Sequence, residues 1–237
     1  MTTDLRIKLF ADGADLSEMK SMASKEFISG LTTNPTLMRK AGVTDYREFA
    51  TEVLSCIKDK PISFEVFSED VAEMKVQAIE IASWGSNVNV KIPVTNSRGE
   101  SNFDLIRELT LEGIKINVTA VMSYPQIENS ILALSDASES YISIFAGRIA
   151  DTGRDPSVYV EHCLKSLKGS QSIQVIWASP RELLNIFQAE EVGCNIITAT
   201  KEILNKLELY GKDLDEYSLE TVQMFNRDAK ESQYRIS

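Results

Sequence analysis

Two patterns alternate along almost the whole chain. Eight short segments carry apolar residues at every second position, which is the spacing of a β-strand with one buried face. A segment with helical spacing follows each of them. Eight strand–helix units within 237 residues predict a single (β/α)8 TIM barrel, an α/β fold with a parallel sheet. The predicted strands are 5–12, 27–32, 62–66, 87–93, 115–120, 141–145, 172–178 and 195–199.

The predicted helices have recognisable ends. Asp15 suits an N-cap, Pro35 suits a first helical turn, and Gly113 suits the position just after a helix. No linker or repeat interrupts the alternation, so we expect one domain over residues 1–237. The predicted helices are 15–24, one that begins at 35, 44–58, 69–84, 101–112, 125–134, 155–167, 180–189 and 201–207, with an additional C-terminal helix at about 214–229.

Composition and charge limit the partners and the cellular compartment that we expect for the protein. The net charge of −10 argues against a nucleic-acid partner, although it leaves room for a local basic pocket. The three cysteines, Cys56, Cys163 and Cys194, form no CxxC pair, which favours a reducing compartment without disulfides or zinc. The chain shows no leader pattern and no apolar run near the ~20 residues of a membrane span. We therefore expect a cytoplasmic protein with no membrane partner and no metal.

The strand at 87–93 carries the most informative residue. Val88, Val90 and Ile92 alternate with polar residues that include Lys91. A lysine near the C-terminal end of a barrel strand lies where these barrels do their chemistry. Shielded from water, it could lose its proton and attack a carbonyl to form a Schiff base. For an isolated lysine, a side chain that extends to solvent is the more common explanation.

Other strands end in the same way. The same alternation places further polar side chains on the inner face, at or near the strand ends: Asp12, Asn34, Glu65, Lys91, Asn117, Thr119 and Ser143. Any one of them could be a packed polar residue that its neighbours satisfy. Together they supply an amine, two carboxylates and several hydroxyls and amides, which carbonyl chemistry through an imine requires. The pattern alone predicts a barrel with a lysine able to form a Schiff base.

The chain also contains four short segments whose order and separations are shared with a known protein family. They are 30–36 (GLTTNPT), 90–93 (VKIP), 117–119 (NVT) and 142–148 (ISIFAGR). On these segments the chain resembles the transaldolase family, including its short fructose-6-phosphate aldolase-like members. The similarity extends from Leu9 to Thr198.

The resemblance implies roles for individual residues. Lys91 corresponds to the Schiff-base lysine, and Asp12 to the carboxylate that moves a proton as the carbon–carbon bond breaks. Glu65 and Thr119 correspond to the pair that holds a catalytic water. The implied substrate-binding residues are Thr32, Asn34, Asn117, Ser143, Phe145, Arg148, Ser179 and Arg181, with the last three around the sugar phosphate. The family works without a cofactor, and we expect sugar-phosphate substrates and a homo-oligomer.

Two positions distinguish members of the family. Glu65 and Phe145 match the transaldolase pattern, whereas the aldolase subgroup tends to have Gln and Tyr there. After the carbon–carbon bond breaks, a three-carbon fragment would remain on the lysine as an enamine. A tyrosine hydroxyl could give this enamine a proton, but a phenylalanine cannot, so the fragment would stay bound until an aldehyde acceptor arrives. Gly13 and Pro180 depart from the usual pattern, which leaves room for a less common sugar phosphate.

Three hypotheses follow from the sequence. The first is a transaldolase of the pentose phosphate type, and the second is a class I aldolase that releases free dihydroxyacetone. The third is a barrel without catalysis, which is disfavoured because Lys91, Asp12 and Glu65 are all present. Ser179 and Glu182 also have the spacing of a capping box, so this segment could simply begin a helix. The single histidine, His162, lies in a charged helix and is expected at the surface.

Overall fold

Eight parallel strands close into a barrel in the order β1 to β8, which confirms the predicted TIM barrel. The structure is a computed structural model of the chain and describes residues 5–233. All eight predicted strands are present. They are β1 (Lys8–Asp12), β2 (Ile28–Thr32), β3 (Ile62–Glu65), β4 (Val88–Pro93), β5 (Ile116–Val121), β6 (Ser140–Ile144), β7 (Ile173–Trp177) and β8 (Ile196–Thr200).

Along the chain, at least one helix follows each strand. Asp15 caps the first of them by accepting a hydrogen bond from the Glu18 amide, as the sequence predicts. Gly113 has a φ of +82° just after a helix end, which is also as predicted. The helices are α1 (Leu16–Ala23), α2 (Pro35–Lys40), α3 (Tyr46–Cys56), α4 (Val71–Ser83), α5 (Phe103–Leu111), α6 (Tyr124–Ala133), α7 (Ala146–Ala150), α8 (Ser157–Leu167), α9 (Leu184–Glu191), α10 (Lys201–Asn205) and α11 (Leu214–Ser232).

The structure differs from the prediction after β6 and β7. The short helix α7 had no counterpart in the sequence pattern. Helix α9 begins at Leu184, so the predicted start near residue 180 is wrong, and Ser179 and Glu182 do not form the capping box that their spacing allowed. Ser179 has a φ of +60°, and the Asn185 side chain accepts hydrogen bonds from the amides of Arg181 and Glu182. These contacts hold residues 179–183 as a loop.

The strands bury side chains on both of their faces. On the outer face, residues such as Phe64, Val90 and Ile142 are fully buried. Inside the barrel, Phe10 and Tyr141 meet edge to face with their ring centroids 6.0 Å apart. Gly30 makes room for this contact, because a Cβ there would lie 2.4 Å from Phe10 Cζ. The apolar cluster Phe10, Tyr141, Ile176, Ala178 and Ile196 fills this part of the interior.

The chain divides into two compact units, one that ends at Leu204 and one that begins at Asn205. The first unit contains the barrel. The second contains a 3-10 turn and helix α11, which Asp213 caps by accepting from the amides of Asp215 and Glu216. The expected single domain over the whole chain stays a prediction. Within residues 5–233, no helix is both long and apolar enough to cross a membrane.

Candidate active site

A cavity of about 490 Å³ opens at the C-terminal ends of the strands. This is the end of a TIM barrel at which catalytic residues lie. Eleven of the twelve residues implied by the sequence line it: Asp12, Thr32, Asn34, Glu65, Lys91, Thr119, Ser143, Phe145, Arg148, Ser179 and Arg181. The twelfth, Asn117, lies just beneath and hydrogen-bonds a lining residue. Another cavity, of about 500 Å³, lies near the opposite strand ends between residues such as Lys8, Gln174 and Asn195, and contains none of these groups.

Lys91 is the central residue of the cavity and is only 6% exposed. Its Nζ lies 3.1 Å from Glu65 Oε2 and donates a hydrogen bond of 2.9 Å to the Thr33 carbonyl. Strand register accounts for this arrangement, because Glu65 is paired with Lys91 and Lys91 with Asn117 across β3, β4 and β5. The amine is therefore fixed in place, with a carboxylate beside it that can exchange a proton.

Asp12 is the second carboxylate, and it is held by a chain of hydroxyls. Thr32 Oγ1 donates to Asp12 Oδ1 over 2.7 Å. Because that proton is used, the 2.6 Å contact between Thr32 and Thr198 makes the Thr198 hydroxyl the donor. Burial raises the pKa of Asp12, while the charge of Lys91 and the Thr32 hydrogen bond oppose that rise. A raised pKa suits a carboxyl that must both accept and return a proton.

Asn34 completes the surroundings of Asp12. Its Nδ2 lies 3.5 Å from Asp12 Oδ2. Its Oδ1 accepts from the Leu37 amide and so caps α2, with Pro35 in the first turn. The helix start therefore fixes the side-chain amide at the cavity wall.

A second hydrogen-bonded chain lies on the side of β3, β5 and β6. Ser143 donates to Asn117 Oδ1 over 2.7 Å, and Asn117 Nδ2 donates to Ser63 Oγ over 3.0 Å. The Ser143 hydroxyl proton points away from the cavity as a result, which leaves its oxygen free to accept from a substrate hydroxyl.

Thr119 has an unused hydroxyl. Its Oγ1 is buried and has no hydrogen-bond partner among residues 5–233. The next residue, Ala120, has a φ of +62°, a region that non-glycine residues rarely adopt. Buried polar groups are nearly always paired, and strained backbone clusters at functional sites. A water or substrate hydroxyl in the cavity would supply the missing partner.

Two arginines lie on the rim. Arg148 is on α7 and Arg181 is in the loop after β7. Gly147 lets the two segments approach, because a Cβ there would lie 1.6 Å from the Ser179 carbonyl oxygen. The Asp151 carboxylate binds the Nε and one terminal nitrogen of Arg181, and this contact lowers the pKa of Asp151. The other edge of the guanidinium remains available to an anion.

Phe145 lies at the end of β6, partly buried against the apolar interior cluster. It brings no hydroxyl to this position of the wall.

Several site residues were not found from the sequence. Thr198 and Ser63 share the inward alternation of their strands, so the period-two pattern could have identified them. Thr33 acts through its carbonyl oxygen, and Asp151 through a partner 30 residues away. No sequence pattern marks contacts of that kind. Among residues 5–233, no group of three or more His, Cys, Asp or Glu side chains is placed to hold a metal ion.

The chain is similar to known proteins over most of its length. Residues 9–236 match the protein family described as Transaldolase/Fructose-6-phosphate aldolase. A "Probable transaldolase" of Dehalococcoides mccartyi is 34% identical over 203 residues, which is 85% of this chain and 90% of that protein. A "Probable transaldolase 2" of Listeria monocytogenes is 34% identical over 202 residues, with 85% and 88% covered. A "Probable transaldolase" of Methanococcus maripaludis is 33% identical, with 85% and 89% covered.

Solved structures repeat the fold. A structure described as native KDPGal superposes with a TM-score of 0.53 at 10% identity, covering 98% of each chain. This likeness concerns the barrel alone.

The closed barrel and the residues gathered at its C-terminal end define the chain as a TIM-barrel enzyme. The chain belongs to the transaldolase/fructose-6-phosphate aldolase family, and within it the enzyme is of the transaldolase type.

Proposed function

We propose that the enzyme transfers a dihydroxyacetone unit from a ketose phosphate to an aldose phosphate, without a cofactor, through an imine on Lys91. The observation that carries this proposal is the position of the amine. Lys91 Nζ is buried at the base of the cavity, 3.1 Å from Glu65 Oε2 and 2.9 Å from the Thr33 carbonyl. An amine fixed next to a base is the arrangement that amine nucleophiles require.

Imine formation begins with a proton transfer. Lys91 gives a proton to Glu65, and its nitrogen lone pair then attacks the ketose carbonyl carbon. The carbonyl oxygen takes a second proton from that nitrogen, which gives a carbinolamine. Glu65 then gives its proton to the same oxygen, which leaves as water, and the iminium ion remains. Glu65 and the unpaired hydroxyl of Thr119 are the groups placed to hold this water and move its protons.

Asp12 serves the bond-breaking step. Its carboxylate takes the proton of the hydroxyl on the carbon that will leave as the aldehyde, which is the far end of the breaking bond. The carbon–carbon bond breaks, its electron pair moves into the iminium to give an enamine, and the aldehyde leaves. When an acceptor aldehyde binds, the enamine carbon attacks it and Asp12 returns the proton. The hydroxyls of Thr32 and Thr198 hold the carboxylate in one orientation for both steps.

Phe145 supports transfer over simple cleavage. An enamine that gains a proton on carbon becomes an iminium ion, and water then breaks its C–N bond to release free dihydroxyacetone. The Phe145 side chain has no proton to donate, and it adds apolar surface to the cavity wall. The enamine therefore persists until an aldehyde arrives.

The arginines support a phosphorylated substrate. Arg148, Ser179 and the free edge of Arg181 lie together on the rim of the cavity. A guanidinium group can bind two phosphate oxygens at once. Arg148 and Arg181 together outweigh the single negative charge of Asp151, so the rim keeps a positive charge.

The acceptor requirement tests the proposal. The purified enzyme is mixed with fructose 6-phosphate, and release of glyceraldehyde 3-phosphate is followed with and without erythrose 4-phosphate. We expect continuous turnover only with the acceptor, and no free dihydroxyacetone without it. Sustained turnover without an acceptor would contradict the proposed transfer and would support the aldolase reaction instead.

Substrate identity, compartment and assembly complete the proposal. Pro180, one of the two positions that depart from the usual family pattern, lines the cavity, so sugar phosphates outside the pentose phosphate pathway belong in the substrate screen. The lack of disulfides at the three cysteines fits the cytoplasm.

We propose a homo-oligomer, which light scattering would detect.

A further inference from the structure

We propose that Tyr46, which lies on α3 and outside the cavity, is a positioning residue for Glu65: its hydroxyl replaces the hydrogen bonds that β2 cannot supply to the end of β3. The inference rests on the function proposed above. It concerns how the base next to Lys91 is held.

The last residues of strand β3 have no backbone hydrogen-bond partner in β2. Their register ends with the pair Thr32 and Ser63, and the last backbone bond runs from the Thr33 amide to the Ser63 carbonyl. In a parallel pair, every second residue turns its amide and carbonyl toward the same neighbour. The next residue of β3 to face β2 is therefore Glu65.

The two atoms that would continue this pairing are not available. The Thr33 carbonyl, which would accept from the Glu65 amide, accepts from Lys91 Nζ instead. The residue that would donate to the Glu65 carbonyl is Pro35, and proline has no amide hydrogen. The same features that build the active site, the lysine contact and the start of α2, thus leave the Glu65 backbone without a strand partner.

The Tyr46 hydroxyl fills both places. It accepts from the Glu65 amide over 2.8 Å and donates to the Glu65 carbonyl over 3.1 Å. A hydroxyl can both donate and accept a hydrogen bond through its one oxygen atom. Burial raises the pKa of Tyr46, so the phenol keeps the proton that it donates.

An aromatic cluster holds the Tyr46 ring in position. The ring lies 4.6 Å from that of Phe67, 5.4 Å from that of Trp84 and 6.1 Å from that of Phe64, measured between centroids. The ring contacts and the hydroxyl contacts can therefore be separated by mutation. Tyr46→Phe removes only the hydroxyl, whereas Trp84→Phe reduces the ring packing and keeps the hydroxyl.

The expected effect falls on imine formation. Without the hydroxyl, two buried backbone groups of Glu65 lose their partners and the end of β3 must shift to find new ones. A displacement of the order of 1 Å in a reacting group can cost ~100-fold in rate. The substrate contacts through Arg181 and Ser143 are not involved.

The test measures the rate of imine formation in a single turnover, by quenching with borohydride, for the unaltered enzyme, Tyr46→Phe and Trp84→Phe. Amide hydrogen exchange of the peptide that contains Glu65 is measured on the same three proteins. We expect Tyr46→Phe to slow imine formation at least about tenfold, to change KM less than about twofold and to speed exchange at Glu65. We expect Trp84→Phe to lower the melting temperature by as much or more and to keep the rate.

Two results would overturn the inference. One is a normal rate of imine formation in Tyr46→Phe. The other is an equal loss of rate in both variants, in proportion to their loss of stability. If the unaltered enzyme forms no adduct, the proposed function fails and the inference with it. A normal adduct in both the unaltered enzyme and Tyr46→Phe would reject this inference alone.

Discussion

Lys91 Nζ and Glu65 Oε2 lie 3.1 Å apart because their strands pair in register, with Glu65 directly opposite Lys91. The lysine side chain is 7% exposed and the glutamate side chain 17%, so the pair is largely shielded from water. A buried amine and carboxylate in contact can exchange a proton without solvent, and the proposed reaction begins with that exchange.

Glu65→Gln is expected to slow imine formation by about 100-fold or more, because the amide cannot accept the proton and Phe145, unlike the tyrosine that accompanies glutamine in the aldolase subgroup, has no hydroxyl to replace it. Borohydride quenching at short times measures that rate. Glu69→Gln is the matched control, since Glu69 lies in the loop after β3 and accepts from the Ser97 amide. Equal rates for Glu65→Gln and the unaltered enzyme would remove Glu65 from the mechanism.

Asp12→Asn is expected to abolish carbon–carbon bond cleavage and to stabilise the fold at neutral pH. Burial raises the pKa of Asp12, so the folded protein binds its proton more tightly than the unfolded chain does. Stability is then lost as the pH rises from the ordinary aspartate pKa through the raised one. The asparagine avoids that loss. Each ~1 kcal/mol of relieved burial cost raises the melting temperature of a chain of this size by ~2–4 °C.

Melting curves between pH 3 and pH 8 check the second half of this prediction. The advantage of Asp12→Asn should be full at neutral pH and should shrink toward pH 3, where Asp12 is protonated in both states. A variant that is less stable than the unaltered protein at pH 7 would contradict the assigned direction of the pKa.

Arg181→Ala is expected to raise KM for phosphorylated sugars by the equivalent of ~1.5–3 kcal/mol, the cost of losing a hydrogen bond to a charged group. KM for the same sugars without phosphate should stay unchanged. Arg154→Ala removes an exposed arginine nearby, which bonds Thr152, and serves as the control. If Arg181→Ala affected both kinds of sugar alike, Arg181 would have no phosphate role.

Gly147→Ala is expected to impair phosphate binding more than stability of the barrel. The added Cβ would lie 1.6 Å from the Ser179 carbonyl oxygen, so α7 and the loop after β7 must separate. Arg148 and Arg181 would move apart with them. Inhibition by inorganic phosphate measures the effect. Gly153→Ala is the control for lost stability alone, because Gly153 has a φ of +78° in the loop beyond α7 and a Cβ there would strain the backbone without meeting any atom within 4 Å. Unchanged inhibition would show that this close approach does not organise the site.

The strand pattern was sufficient to predict which residues line the cavity on the side of β3, β4 and β5. A period of two is unambiguous in the strand at 87–93, so the placement of Lys91 on the inner face followed from the sequence alone. The same alternation, carried to β3 and β5, brought Glu65 and Asn117 to the same end of the barrel. The register of the parallel strands then places Glu65 and Asn117 on either side of Lys91.

The rim was predicted less well. The spacing of Ser179 and Glu182 imitates a capping box, yet the left-handed φ of Ser179 and its contact with Gly147 stop a helix from starting there. Helix α7 is five residues long, too short for a helical period to show. Tyr46 carries no sign of its role in its own segment, because that role depends on which backbone atoms β2 leaves unpaired.

Lys91 itself provides the most direct test of the mechanism. The enzyme is incubated with fructose 6-phosphate, reduced with borohydride and digested, and the modified peptide is sequenced by mass spectrometry. Lys91→Ala is run beside it, with Lys115→Ala as a control, since Lys115 pairs with Glu139 just before β5 begins. We expect one reduced three-carbon unit on Lys91 in the unaltered enzyme and in Lys115→Ala, and neither adduct nor turnover in Lys91→Ala. A three-carbon adduct on another lysine, or an active Lys91→Ala enzyme, would contradict the mechanism.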